Sequence, residues 1–142
     1  MKIRKATVDD YPAALALYEG FASNRLLEHR PGESQHWPVV IDHPGTSVFL
    51  AEQNGEIIGM ATLHIPPNMT RGGRPYALIE NVIMAADHRC GGVGRRVMKE
   101  VVAAAWSAGA YKIMLLTGKH RADGGYAAFT KSSASQLMKN SG

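Results

Sequence analysis

Between residues 94 and 108 the apolar side chains fall on a single stripe. Val97, Met98, Val101, Val102, Ala105 and Trp106 recur at the spacing of a helix with one buried face. Lys99 and Glu100 lie off that stripe, and Gly109 marks the stop. The nearly unbroken apolar run at 112–117 predicts a strand inside a sheet, and residues 77–84 predict another. Upstream, the runs at 47–52 and 56–63 flank Gln53-Asn54-Gly55. Asn-Gly between such runs predicts a hairpin, because both residues accept positive φ.

The N-terminal third alternates more loosely. Residues 3–6 predict a first strand, and Thr7-Val-Asp-Asp10 supplies a cap and first-turn acids for a helix reaching about Gly20. Pro12 is tolerated near its start, with Ala14, Leu15, Leu17 and Tyr18 on its apolar side. Residues 21–46 are polar and broken by Pro31, Gly32, Pro38 and Pro44-Gly45, leaving one short helix at 35–41. Residues 66–75 predict a long loop, and 122–131 a last, weakly patterned helix. The order β-α-α-β-β-β-α-β-α, without repeat or linker, describes one mixed α/β domain over residues 1–142.

Composition narrows the function classes. No apolar run approaches the ~18 residues of a membrane span, so no membrane partner is expected. The single cysteine, Cys90, allows no internal disulfide, and the first residues lack the apolar core of a signal peptide. A cytoplasmic protein is the expectation. The six histidines show no metal-binding spacing, because prolines interrupt the one regular series, His29, His36 and His43. The net charge of +4 is unevenly spread: residues 1–87 hold seven Lys/Arg and ten Asp/Glu, residues 88–142 nine and two. The basic half is without a base-stacking aromatic motif, which favours one small polyanion over nucleic acid.

The boundary between those halves is Arg89-Cys-Gly-Gly-Val-Gly94, set between the 77–84 strand and the following helix. Glycines there turn the backbone tightly and direct several N–H groups to one place, where a helix N-terminus adds partial positive charge. Arg89, Arg95 and Arg96 reinforce it. A P-loop is excluded, since no Lys-Ser/Thr follows Gly94, and a dinucleotide fingerprint is weak, since residue 97 is valine.

Arg89, Gly92 and Gly94 resemble the acyl-CoA-binding signature Arg/Gln-x-x-Gly-x-Gly/Ala of the GNAT-family N-acetyltransferases. Residues 110–118 (Ala-Tyr-Lys-Ile-Met-Leu-Leu-Thr-Gly) are similar to a strand of the glucosamine-phosphate N-acetyltransferases within it. The resemblance implies a mixed, mostly antiparallel central sheet flanked by helices and splayed between its fourth and fifth strands. It implies acetyl-CoA as cosubstrate and no metal. Its pyrophosphate would be held by Cys90, Gly91, Gly92, Val93, Gly94 and Arg95, with Lys99 or Arg95 as candidates for the 3′-phosphate. Its pantetheine arm would lie along Val82, Ile83 and Met84, and a main-chain N–H near Val82 would meet the oxyanion.

Acetyl transfer to an amine also needs a proton acceptor. Glu80 is the only acid in residues 57–86 and sits mid-strand among apolar residues. It reads either as general base, as the resemblance implies, or as an ion-pair partner of Arg71 or Arg74. Asn81, on the opposite side of a regular strand, reads as a substrate contact or as a sheet-edge residue. The tyrosine with which the family protonates the departing thiolate aligns with Phe129, leaving Tyr126, one turn earlier, as a substitute acid or a packing residue. Cys90 reads as a bystander to the chemistry.

Arg25, Arg30, Arg71 and Arg74, in the segments expected around the acceptor, hint at an acidic amine such as an amino-sugar phosphate or amino acid. The expected activity is transfer from acetyl-CoA to a small primary amine, by direct attack in a ternary complex. The alternative is an acetyl-CoA-binding regulatory module with weak or no catalysis. Residues 132–142 offer little strand material, so a homodimer is expected to cover the sheet edge.

Overall fold

The computed structural model describes residues 1–21 and 29–115. Five strands form one sheet in chain order: β1 (Lys2–Lys5), β2 (Thr46–Gln53), β3 (Glu56–His64), β4 (Ala77–Met84) and β5 (Ile113–Leu115). The first three pairings are antiparallel and β4–β5 is parallel. The predicted hairpin joins β2 to β3, with Asn54 and Gly55 both at positive φ (52° and 79°).

Helices cover both faces. α1 (Tyr11–Phe21) and α2 (His36–Asp42) lie on one side, where Ala14, Leu17 and Trp37 pack with Val48, Leu50, Met60 and Ile83. α4 (Val93–Ser107) lies on the other, setting Val97, Met98, Val101, Val102 and Ala105 against Phe49, Ala61, Leu63, Ile79 and Val82. The alternation of β2 explains the division: Val48 and Leu50 point to α1 and α2, Phe49 and Ala51 to α4.

The predicted boundaries shift by a residue or two. The first helical turn is a 3-10 segment, Val8–Asp10, before α1 proper. There Asp10 accepts the Thr7 N–H (2.7 Å) and both terminal nitrogens of Arg4 (2.8 Å each), while Arg4 Nε reaches Glu52 (2.9 Å). This locks the start of the first crossover to β1 and β2. The 66–75 loop holds one distorted turn, α3 (Thr70–Gly73), with Arg71 and Gly72 in left-handed conformation. The predicted helix at 122–131 lies outside the described residues.

β4 departs from the regular strand the sequence predicts. Met60 faces Ile83 and Thr62 faces Glu80, so two steps along β3 correspond to three along β4. The extra residue is a bulge at Asn81, whose φ is +51°. Asn81 is exposed, whereas Val82 and Ile83 are buried against opposite helical layers. β5 accompanies β4 only from Ala77 to Ile79 within the described residues, so the described pairing ends before Glu80.

The Arg4 guanidinium holds the Asp10 carboxyl at a pKa of about 2, below its ordinary 3.8. Its stabilising contribution is therefore complete above pH ~4 and is lost as pH falls toward 2, worth up to about 2 kcal/mol. Asp10→Asn should unfold at lower urea concentration than wild type at pH 6, with the gap closing by pH 2. A gap independent of pH would refute the ion pair as the cause.

Candidate active site at the β4–α4 junction

The chain leaves β4 through a 3-10 turn, Ala86–His88, and enters α4 from Gly92. Two left-handed residues shape the entry: Cys90 at φ +65° and Gly92 at φ +83°. A glycine is required at 92 by conformation alone, since a Cβ there would meet no atom within 4 Å. The space above the turn is open, as a bulky anion needs.

The N-terminus of α4 suits an anion on chemical grounds as well. No side chain caps it and its first turn contains no acid, so nothing of negative charge competes for the leading amides. The first intrahelical acceptor is Gly92 O, bonded by Arg96 N at 3.2 Å. Arg95 is exposed beside the turn, and Arg89 Nε donates to Met84 O (3.4 Å), tying the turn to the end of β4. A cleft of about 500 Å³ opens beside Arg89, between the end of β4 and α1, with Leu17, Gly20, Ile57 and Ala85 on its walls. An uncapped helix start and nearby arginines together suit an anion.

Glu80 lies on the α1 side of the sheet, with a side chain 38% exposed. The bulge puts Ile83, rather than Val82, on that side with it. Neither expected arginine is its partner. The Arg74 guanidinium instead donates to Gly109 O (3.2 Å) and Ala110 O (3.1 Å), and Tyr111 N donates to Pro75 O, fastening the 66–75 loop to the end of α4. Glu80 Oε1 meets His64 Nε2 at 3.1 Å, a diagonal contact between neighbouring strands.

Three further polar groups share that face. Thr62, directly across from Glu80, is 3% exposed, and its hydroxyl makes no hydrogen bond of good geometry. Tyr18 of α1 stands near both; burial first, and the Glu80 charge in addition, raise its phenol pKa above the ordinary 10, so it stays protonated at neutral pH. His64 Nδ1 meets Thr46 Oγ1 at 3.1 Å. A half-buried carboxylate, a protonated phenol and a buried hydroxyl are suited to binding an amine and accepting its proton.

Of the residues singled out from sequence, the structure brings Glu80, Asn81, Val82, Ile83 and Met84 onto one strand and residues 89–95 onto the adjoining turn. Arg74 is removed from them by its carbonyl partners. Arg25, Tyr126 and Phe129 lie outside the described residues. Sequence reasoning missed His64, Thr62 and Tyr18. The signal was present for two: Thr62 and His64 are polar positions two apart at the end of an apolar strand, hence on one face.

Gly92→Ala should lower unfolding stability by about 1–2 kcal/mol, the left-handed penalty for a residue with a Cβ. A denaturant melt indistinguishable from wild type would show that the turn does not need this conformation.

Comparison with known proteins agrees with the geometry. The sequence pattern of the acetyltransferase (GNAT) family matches residues 3–129. Over 70 residues, 49% of this chain, the sequence is 37% identical to a glucosamine 6-phosphate N-acetyltransferase of Trypanosoma brucei brucei. That match spans about half of the curated relative, 48% of its length. A putative acetyltransferase from Agrobacterium tumefaciens str. C58 superimposes with a TM-score of 0.85 at 36% identity, covering 94% of this chain and 92% of that one. The glucosamine-6-phosphate N-acetyltransferase of Arabidopsis thaliana shares the fold at 16% identity, with a TM-score of 0.74 over 94% of this chain and 89% of its own. An anion-ready turn, the five-stranded sheet and a match across most of the sequence converge: the chain belongs to the GNAT family of acetyltransferases.

Proposed function

We propose that this acetyltransferase uses acetyl-CoA to acetylate a primary amine on a small acidic molecule of the amino-sugar phosphate class. The observation that carries the reading is the placement of Glu80. It is a half-buried carboxylate on the cleft side of β4, at a bulge, one strand-end away from an anion-binding turn. The backbone from 90 to 95 binds the diphosphate, and Val82, Ile83 and Met84 border the pantetheine arm. Glu80 takes the proton of the amine as nitrogen attacks the thioester carbonyl, and the main chain at the bulge stabilises the oxyanion. The trypanosomal relative, a glucosamine 6-phosphate N-acetyltransferase, supports the acceptor class, at 37% identity over half of this chain.

Asn81, exposed at the bulge, borders the acceptor in this reading. Arg74 is committed to backbone carbonyls, so the acidic group of the acceptor must find its cation elsewhere, for which Arg25 and Arg71 stand as candidates. Tyr126 retains its place as the candidate acid for the thiolate. With a thiol pKa near 8.5, solvent serves that purpose without a large loss of rate. A homodimer that completes the sheet beyond β5, in the cytoplasm, belongs to the same reading.

Glu80→Gln preserves shape and removes the base. With acetyl-CoA and glucosamine 6-phosphate, its kcat should fall by about 10²–10⁴-fold while coenzyme A affinity is unchanged. Thiol release is the readout. An undiminished rate removes Glu80 from the chemistry. Thermal stabilisation of the wild type by coenzyme A, without turnover on any amine, favours the regulatory binding module instead.

A further inference from the structure

Glu80 is the inner end of a chain of hydrogen-bonding side chains that runs across three strands to the surface. Its Oε1 lies 3.1 Å from His64 Nε2; His64 Nδ1 lies 3.1 Å from Thr46 Oγ1; and Thr46 Oγ1 lies 3.2 Å from His43 Nδ1. Thr46 and His64 are cross-strand partners on β2 and β3, and His64 and Glu80 are diagonal neighbours on β3 and β4. His43, which follows α2, is exposed. The path therefore begins at the reacting face and ends in water.

The geometry points to a proton exit: we propose that His64, Thr46 and His43 relay the amine proton from Glu80 to solvent. The inference rests on Glu80 as general base. An amine that arrives as R–NH3⁺ and leaves as R–NH–COCH3 releases one proton per turnover, after the second N–H proton has gone to the thiolate. A carboxylate on a half-buried strand that keeps that proton cannot act again.

The hydrogen-bond directions permit the transfer. The Gly45 N–H donates to His43 Nδ1 (3.2 Å), so that nitrogen is an acceptor and His43 carries its proton on Nε2. The Thr46 hydroxyl then donates to His43 Nδ1 and accepts from His64 Nδ1–H. This leaves His64 Nε2 as the acceptor that faces Glu80, and a bond between them forms when the pair holds one additional proton. That proton is the one taken from the amine.

The step balances without a co-reactant. Glu80 gives its proton to His64 Nε2, His64 gives its Nδ1 proton to Thr46 Oγ1, Thr46 gives its own to His43 Nδ1, and His43 releases its Nε2 proton to water. Rotation of the Thr46 hydroxyl and exchange of the two partly exposed rings with water restore the starting tautomers. Among the described residues, Tyr18 from α1 also stands near Glu80, and it is held protonated, so it takes no proton from it.

The backbone around His43 is built for this contact. Thr46 N donates to His43 O (3.1 Å) and Ile65 N to Gly45 O (2.8 Å), closing a turn that sets the ring beside β2. A Cβ on Gly45 would stand 3.2 Å from Ile65 O and 3.4 Å from the His43 ring, so the tight turn depends on glycine.

The test uses the full chain with acetyl-CoA and glucosamine 6-phosphate, and three variants: Thr46→Val, His43→Ala and His64→Gln. His64, Thr46 and His43 are positioning and relay residues that act through Glu80. Their loss should lower kcat about 10-fold or more with KM for both substrates unchanged. Added imidazole should restore the rate of His43→Ala, whose lost group is at the surface, and should leave His64→Gln low. Full kcat in Thr46→Val, or no rescue of His43→Ala, would overturn the relay while leaving Glu80 as base. An unaffected Glu80→Gln rate would overturn both. Imidazole nitrogen NMR on the folded protein gives a reading independent of turnover. It should show His43 as the Nε2–H tautomer and His64 as the Nδ1–H tautomer, the latter preference being lost when Thr46 becomes valine. A His64 tautomer unchanged in Thr46→Val contradicts the chain.

Discussion

One residue too many in β4 shapes the candidate site of this protein. A regular strand would alternate Glu80, Asn81 and Val82 between the two helical layers. The left-handed turn at Asn81 lets β3 skip a step. Glu80 consequently stays on the α1 side with Ile83, and Val82 goes to the α4 side. β4 pairs with β3 on both sides of the bulge, from Leu78 to Glu80 and again at Ile83 and Met84. The energetic cost of a left-handed non-glycine residue, roughly 1–2 kcal/mol, is tolerable because Ile79 before the bulge and Val82 after it are buried in a common core.

The two halves of the site answer to different physical demands. On the proposed reading, the turn at 89–95 must offer unpaired donors and positive potential, which left-handed backbone, an uncapped helix start and arginines supply. On the same reading, the face around Glu80 must accept and move protons, for which it offers a carboxylate with imidazole and hydroxyl groups at partial exposure. The sheet joins the two regions by running one strand from the Glu80 face into the turn at 89–95.

Most of the architecture was legible in the chain. The α4 stripe, the Asn54-Gly55 hairpin and the strand at 77–84 follow from periodicity and turn chemistry, because each is a local pattern repeated over enough residues to be distinctive. The turn into α4 was legible for the same reason, with Gly92 imposed by its φ. The partner of Glu80 was not. Sequence proximity suggested arginines at 71 and 74, yet Arg74 is drawn to the carbonyls that end α4, and register brings in His64. Cross-strand partners are fixed by register, and the register was altered by a bulge for which Asn81 in an apolar run was the only local sign. The chain from Thr46 to His43 depends on the same non-local pairing.

The central claim is that β4 and the start of α4 together grip an acyl-CoA. Titrating the isotopically labelled chain with coenzyme A, while following every backbone amide by NMR, examines it most directly. The account predicts the largest and saturable shifts at residues 90–95, continuing along 82–84, with smaller changes on β1 and β2. Saturable shifts centred elsewhere on the sheet, or none at millimolar coenzyme A, would contradict it.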